Sequence, residues 1–288
     1  MNLVRSELRK LRTTNMWWIF GVLLLGLTTL SLLAAMAEAS FLLDPPQPPE
    51  GEVPPGEQPP PGEVPPGEPL PDAAELRVTA AVNLYTAGQF FGLMFALLLG
   101  SLLMTNEYAH QTASATFLTT PRRANVVVAK LVTALGIGAL FWAVATLVDV
   151  IGGVIFLSNA DVGPQLGQPK VLAAIGLNLL AYALWAVFGI GLGTLIRSQL
   201  ATVIVAVAVY VLSGAIGLGV LYGLSQYIEA EWLTDLAVLL PSTASDLMVT
   251  GIDWVQMPPR WVGAVVLVGY GVLAGVVGTL ITQRRDIG

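Results

Sequence analysis

Polar and apolar residues fall in long blocks along this chain. Six apolar blocks, near 17–37, 84–104, 126–157, 171–196, 200–222 and 261–281, have the length a helix needs to cross a hydrocarbon core about 30 Å thick. The pattern predicts an all-α membrane protein with six transmembrane helices, folded as one transmembrane domain over 1–288. The first block follows basic residues and ends near the small-residue run Ala37-Glu38-Ala39, as in a secretory signal peptide. Its length of about 21 residues exceeds the usual apolar region of such a peptide, which favours a retained membrane helix.

The segments between the blocks differ in kind. In 1–15, Val4, Leu8 and Leu11 recur at helical spacing, with Arg5, Arg9 and Arg12 in the same rhythm one residue later. This suits a short interfacial helix whose stripe enters the acyl region while its arginines meet lipid phosphates. Residues 45–71 hold 13 of the 19 prolines, with PPGE recurring at Pro54, Pro60 and Pro65. Such an acidic run supplies no core and reads as an extended external loop. In 223–260, an apolar stretch over 233–240 is too short to cross, and Pro241 interrupts it. Ser242 is placed to cap a second short helix, so an external helical hairpin is expected.

The formal net charge of -6 conceals an asymmetry. One side of the six blocks carries ten lysines and arginines against three carboxylates, and the other three against fifteen. Because basic residues resist translocation, both termini and the segment 106–123 are expected on the cytoplasmic side. Asp149 is the one carboxylate inside a block, about 28 Å along a helix from Lys130, which places it near the outer interface and favours a hydrated or paired group there over a buried proton-relay acid.

Several chemistries are excluded. The chain has no cysteine and one histidine, so neither a thiol nucleophile nor an ordinary zinc site can form. Its three lysines, Lys10, Lys130 and Lys170, follow Arg, Ala and Pro, so no phosphate-binding GxxxxGK[ST] loop exists. His110 lies outside the spans and Asp149 has no intramembrane aspartate partner, which disfavours an intramembrane protease. No bound cofactor or metal, no catalytic residue and no nucleic-acid partner are expected. Gly189 and Gly193, like Gly271 and Gly275, form GxxxG faces that serve packing within the chain or between two copies equally well.

The polar stretch 106–123, NEYAHQTASATFLTTPRR, has room for a few helical turns along the membrane surface, with Thr120-Pro121 opening the third span and Arg122, Arg123 and Lys130 snorkelling to headgroups. Its run of Glu107-Tyr108, His110, Thr112, Phe117-Leu118, Thr120-Pro121-Arg122-Arg123 and Lys130 resembles the signature between the second and third spans of permeases in the type 2 ABC exporter family, including antibiotic-resistance permeases. The basic start, the six spans, the external hairpin and Arg284-Arg285 extend the similarity over nearly the whole chain. Gln111, where relatives often have glycine, and the PPGE loop depart from it.

The resemblance implies a bacterial plasma-membrane exporter subunit, not itself an enzyme. Its coupling segment would engage an ATPase through Glu107, Tyr108, His110, Thr112, Phe117, Arg122 and Arg123. It further implies two ATPase copies that bind the ATP and Mg, and a second permease copy. The weakly polar spans suit an amphipathic or lipid-like substrate such as a drug, an antibiotic, a lipid or a peptide. The alternative is a non-transporting membrane scaffold or sensor that binds through the proline-rich loop.

Overall fold

The computed structural model of the chain describes residues 2–13, 16–44, 73–109, 123–196, 198–230, 232–251 and 258–284. Every regular element among them is helical. In order these are α1 (Asn2–Thr13), α2 (Met16–Leu43), α3 (Ala73–Tyr85), α4 (Gln89–Ala109), α5 (Arg123–Asn159), α6 (Pro169–Leu195), α7 (Gln199–Val211), α8 (Gly217–Tyr227), α9 (Trp232–Asp235), α10 (Pro241–Thr250) and α11 (Arg260–Arg284). The proline-rich loop and most of the segment between α4 and α5 lie outside the described residues.

Among the described residues four helical stretches are long and apolar enough to cross a membrane: Trp17–Leu43, Ala73–Glu107, Val128–Asn159 and Pro169–Leu195. A fifth results if the stretches Gln199–Gly214 and Gly217–Tyr227, bent by 46° at Gly214, are taken as one broken span. The bend passes through a π-helical turn, Leu212–Ile216, in which Gly214 leaves helical geometry at φ -90° and ψ -134°. Helix α11 has 25 residues, with a described apolar stretch, Arg260–Ala274, shorter than a membrane thickness requires. These helices make the chain a helical membrane protein.

The most buried span is the one made by α3 and α4, whereas α2 lies at the periphery with much of its apolar surface exposed. Helix α4 packs chiefly on α6, which also contacts α5 and α11. The approach is close because glycines line it. A methyl group on Gly100 would overlap the Ala186 carbonyl oxygen, one on Gly189 the Leu97 carbonyl oxygen, and one on Gly193 would sit 2.6 Å from the Ser101 oxygen. The Gly189 and Gly193 face is therefore used within the chain, and Gly191 on the opposite side meets Ala274 of α11. In lipid, where apolar burial gives little net drive between helices, such contact is what holds them together.

Two local expectations are corrected. The second span begins earlier than residue 84, because α3 precedes it and joins it through a break at 86–88. Residue 242 does not cap α10: Leu240 occupies that position, Pro241 is the first helical residue, and Gly251 ends the helix at φ 61°. The Ser242 hydroxyl instead donates 2.9 Å to the Tyr210 carbonyl and lies 2.8 Å from the Ser213 hydroxyl, tying α10 to the bend after α7. Pro241 at the first position already lacks an N–H, so the helix needs one side-chain cap fewer.

Replacing Gly189 with alanine should destabilise the bundle by about 1–3 kcal/mol through overpacking. A methyl group on Gly176 of the same helix would meet no neighbour within 4 Å, and its alanine variant should match or exceed the parent by up to about 1 kcal/mol. Thermal unfolding of both variants in detergent measures the difference.

Candidate functional site

Four charged side chains from three elements meet where α4 ends and α5 begins. Glu7 projects from α1, as does Lys10 one turn later; Glu107 stands in the last turn of α4, and Lys130 two turns into α5. Lys130 Nζ donates 2.7 Å to Glu7 Oε2 and lies 2.9 Å from Glu107 Oε1. A further hydrogen bond of 2.9 Å runs from the same ammonium to the Leu103 carbonyl oxygen, so three donors meet three acceptors. Lys10 Nζ donates 2.8 Å to Glu7 Oε1 and 2.9 Å to Glu107 Oε1. The result is a closed ring of two carboxylates and two ammonium groups.

Burial makes this ring decisive. Lys130 is 1 %, Glu107 3 % and Glu7 4 % exposed, so each charge depends on its partners for what water would otherwise supply. Lys10, with a side chain 45 % exposed, closes the ring from the solvent side. Burial by itself raises the Glu7 carboxyl, but the charge of Lys130 and hydrogen bonds from both lysines outweigh it and hold the group below its ordinary 4.5. Burial likewise works against the Lys10 charge, and the hydrogen bonds to Glu7 and Glu107 reverse it, leaving the ammonium above its ordinary 10.5.

The expected site residues fall unevenly around the ring. Glu107 lies within it, its carboxylate buried and paired with Lys10 and Lys130. Lys130, expected to snorkel among headgroups, is buried there instead, because Glu7 and Glu107 offer it a charged cradle. Tyr108 is in the last turn of α4 and Arg123 in the first of α5, where only the backbone is described. His110, Thr112, Phe117 and Arg122 lie outside the described residues. On α1, Arg5 and Arg9 are exposed, as is Leu8, and Arg12 is described only as helical backbone.

The sequence pattern assigns no site role to Glu7 or Lys10. A signal was present: Glu7 is the one carboxylate among the first fifteen residues, and Glu107 and Lys130 are isolated opposite charges at the edges of apolar blocks. Which groups pair, however, depends on how α1 folds back against α5.

A second polar region surrounds the break between α3 and α4. Gly88 N–H, which has left its helical acceptor, donates 2.9 Å to Asp149 Oδ2 on α5. The Gly88 carbonyl accepts from Tyr182 of α6 at 3.4 Å, and Tyr210 of α7 donates 2.7 Å to the Phe90 carbonyl. Asp149, expected to be hydrated or paired near an interface, is 1 % exposed, and its partner is this backbone amide. Nearby, Gln89 donates 2.8 Å to Asp246 of α10, and Trp185 donates 2.7 Å to Ser245 of the same helix. Among the described residues no group of three or more metal-ligating side chains is assembled.

The sequence matches no protein-family model and no curated protein.

Substituting Lys130 with methionine should cost about 3–5 kcal/mol by leaving two buried carboxylates to share the single half-exposed ammonium of Lys10. Protease accessibility of α1, followed by mass spectrometry, should rise accordingly. Docking of α1 should also have a pH window. The stabilisation linked to Glu7 is complete above its ordinary 4.5 and disappears as pH falls through its lower folded value. That linked to Lys10 is complete below its ordinary 10.5 and is lost as pH rises through the higher folded value. A spin label on α1 should therefore report an immobile helix across neutral pH and release at both extremes.

Proposed function

We propose that this chain is the transmembrane subunit of an ATP-driven exporter of the type 2 ABC kind, with ATP hydrolysed by a separate subunit. The observation that carries the reading is the buried ring of Glu7, Lys10, Glu107 and Lys130. Such a transporter needs a segment that receives a push outside the membrane and a rigid link that delivers it to the spans. The segment 110–122 leaves α4 three residues after Glu107 and enters α5 seven residues before Lys130. Those two side chains share one ring with α1, so a displacement of the segment reaches α1, α4 and α5 together.

In this reading both termini and the ring face the cytoplasm of a bacterial cell, as the excess of basic residues at that end supports. Tyr108, His110, Thr112, Phe117, Arg122 and Arg123 meet the ATPase, whereas Glu107 is a positioning residue acting through Lys10 and Lys130. Arg5, Arg9 and Arg12 lie toward lipid phosphates, for which the exposure of Arg5 and Arg9 gives support. Two ATPases carrying ATP and Mg work with two copies of this chain. Closing of the ATPases on ATP moves the segment, and transport follows because the inward and outward states bind an amphipathic substrate with different affinity.

Purification of the tagged chain from its native membrane, with mass spectrometry of co-purifying proteins and an ATPase assay, tests this. A stoichiometric subunit bearing a phosphate-binding loop is expected, with assembly or stimulated hydrolysis reduced at least tenfold by charge reversal at Arg122 and Arg123. A chain recovered without any nucleotide-binding partner would overturn the proposal. Loss of the main activity on deleting 45–71, with assembly irrelevant to it, would favour a scaffold.

A further inference from the structure

The carboxylate of Asp149 is buried at the break between α3 and α4 in a way its structural bond does not account for. One oxygen, Oδ2, accepts the Gly88 N–H at 2.9 Å, which is the service a cap performs at a helix start. The other oxygen, Oδ1, is buried with no hydrogen-bond partner, as is the Thr28 hydroxyl. Both side chains flank Gly88. A methyl group on Gly88 would lie 2.9 Å from Thr28 Oγ1 and 3.1 Å from Asp149 Oδ2. Thr28 is 0 % and Asp149 1 % exposed.

Among the described residues no charge balances this carboxylate. Helix α2 presents Thr28, and the break presents backbone and the neutral Gln89, whose amide donates to Asp246 of α10. Helix α3 presents the phenol of Tyr85, committed to the Pro164 carbonyl oxygen, and α6 that of Tyr182, committed to the Gly88 carbonyl oxygen. On α5 itself Thr146, one turn away, is neutral, with its hydroxyl also unpartnered. No lysine, arginine or second carboxylate among the described residues pairs with Asp149: the buried Asp246 of α10 accepts from Gln89, and the Lys170–Glu75 pair is exposed at the end of the bundle. An ionised carboxylate inside a bilayer, held by one amide, is expensive.

We infer that Asp149 is a proton-binding site, neutral while α5 is sutured to the break at Gly88 and ionised when the break opens to water. A proton on Oδ1 removes the charge and gives that unpartnered oxygen a hydrogen to donate, while Oδ2 keeps the Gly88 N–H. Loss of the proton leaves a charge that only water can stabilise, and water can reach it only if α3 and α4 part at residues 86–88. The break is thereby a proton-linked joint in the most buried span. Proton binding at Asp149 needs no partner subunit and is independent of the exporter reading.

The absence of cysteine in the chain makes the joint accessible to a single reporter, Ala87→Cys, in native membranes. Labelling by a membrane-permeant maleimide is followed across pH with Asp149 intact and with Asp149→Asn. The asparagine retains an oxygen for the Gly88 N–H and cannot ionise. Dividing the two rates removes the ionisation of the thiol itself. The ratio is expected to climb about tenfold per pH unit until it saturates, as one-proton linkage requires. A ratio that stays flat overturns the proposal, as does a ratio that changes with sodium concentration at fixed pH, because a metal cation would then be the ligand.

Thr28→Val supplies a second test that leaves the carboxylate in place. It removes the unpartnered hydroxyl that flanks Gly88 beside the carboxylate, a donor for the ionised form, so the midpoint of the pH profile should move upward by a measurable fraction of a unit or more. An unmoved midpoint would likewise refute the assignment.

Discussion

Close approach between α4 and α6 is the contact on which the other elements depend. Both helices are apolar around most of their circumference, and lipid would accept either one nearly as well as its neighbour does. What fixes them is that Gly100, Gly189 and Gly193 allow backbone to meet backbone. With that axis set, α5 and α11 pack on α6, α10 docks through Ser245 on Trp185, and α2 remains at the lipid-exposed periphery.

Polar groups then pin this frame at two levels. Where α4 ends, Glu107 and Lys130 bring α1 onto the bundle through Glu7 and Lys10, with carboxylates and ammonium groups in equal number. Toward the other end, α4 is interrupted at residues 86–88, and the amide freed at Gly88 is satisfied by Asp149 from a different helix. The first arrangement is balanced in charge and therefore rigid across neutral pH. The second is not balanced by any cation among the described residues, and its chemistry calls for a proton. A long helix held fast at one end and jointed near the other can turn a local displacement into movement across the membrane.

That combination is what the proposed transport subunit would use. Charged groups at the Lys130 end join helices to one another. An exporter subunit driven by an external ATPase would use each of these features.

Composition and block length alone determined that the chain is helical, apolar and charge-asymmetric, because about twenty consecutive apolar residues have few other stable states than a helix in lipid. They also located the polar segment after Glu107 and the pair of short helices around Pro241. They did not reveal α3, because Glu75, Arg77, Thr79 and Asn83 interrupt the apolar pattern ahead of residue 84, nor could they say whether Gly189 and Gly193 face a neighbouring copy or α4. Only the tertiary structure decided that Glu7 and Lys10 meet Glu107 and Lys130, and that Asp149 serves Gly88. Both are contacts between residues about sixty to over a hundred positions apart, and no local pattern records which buried charge will find which partner once the helices have packed.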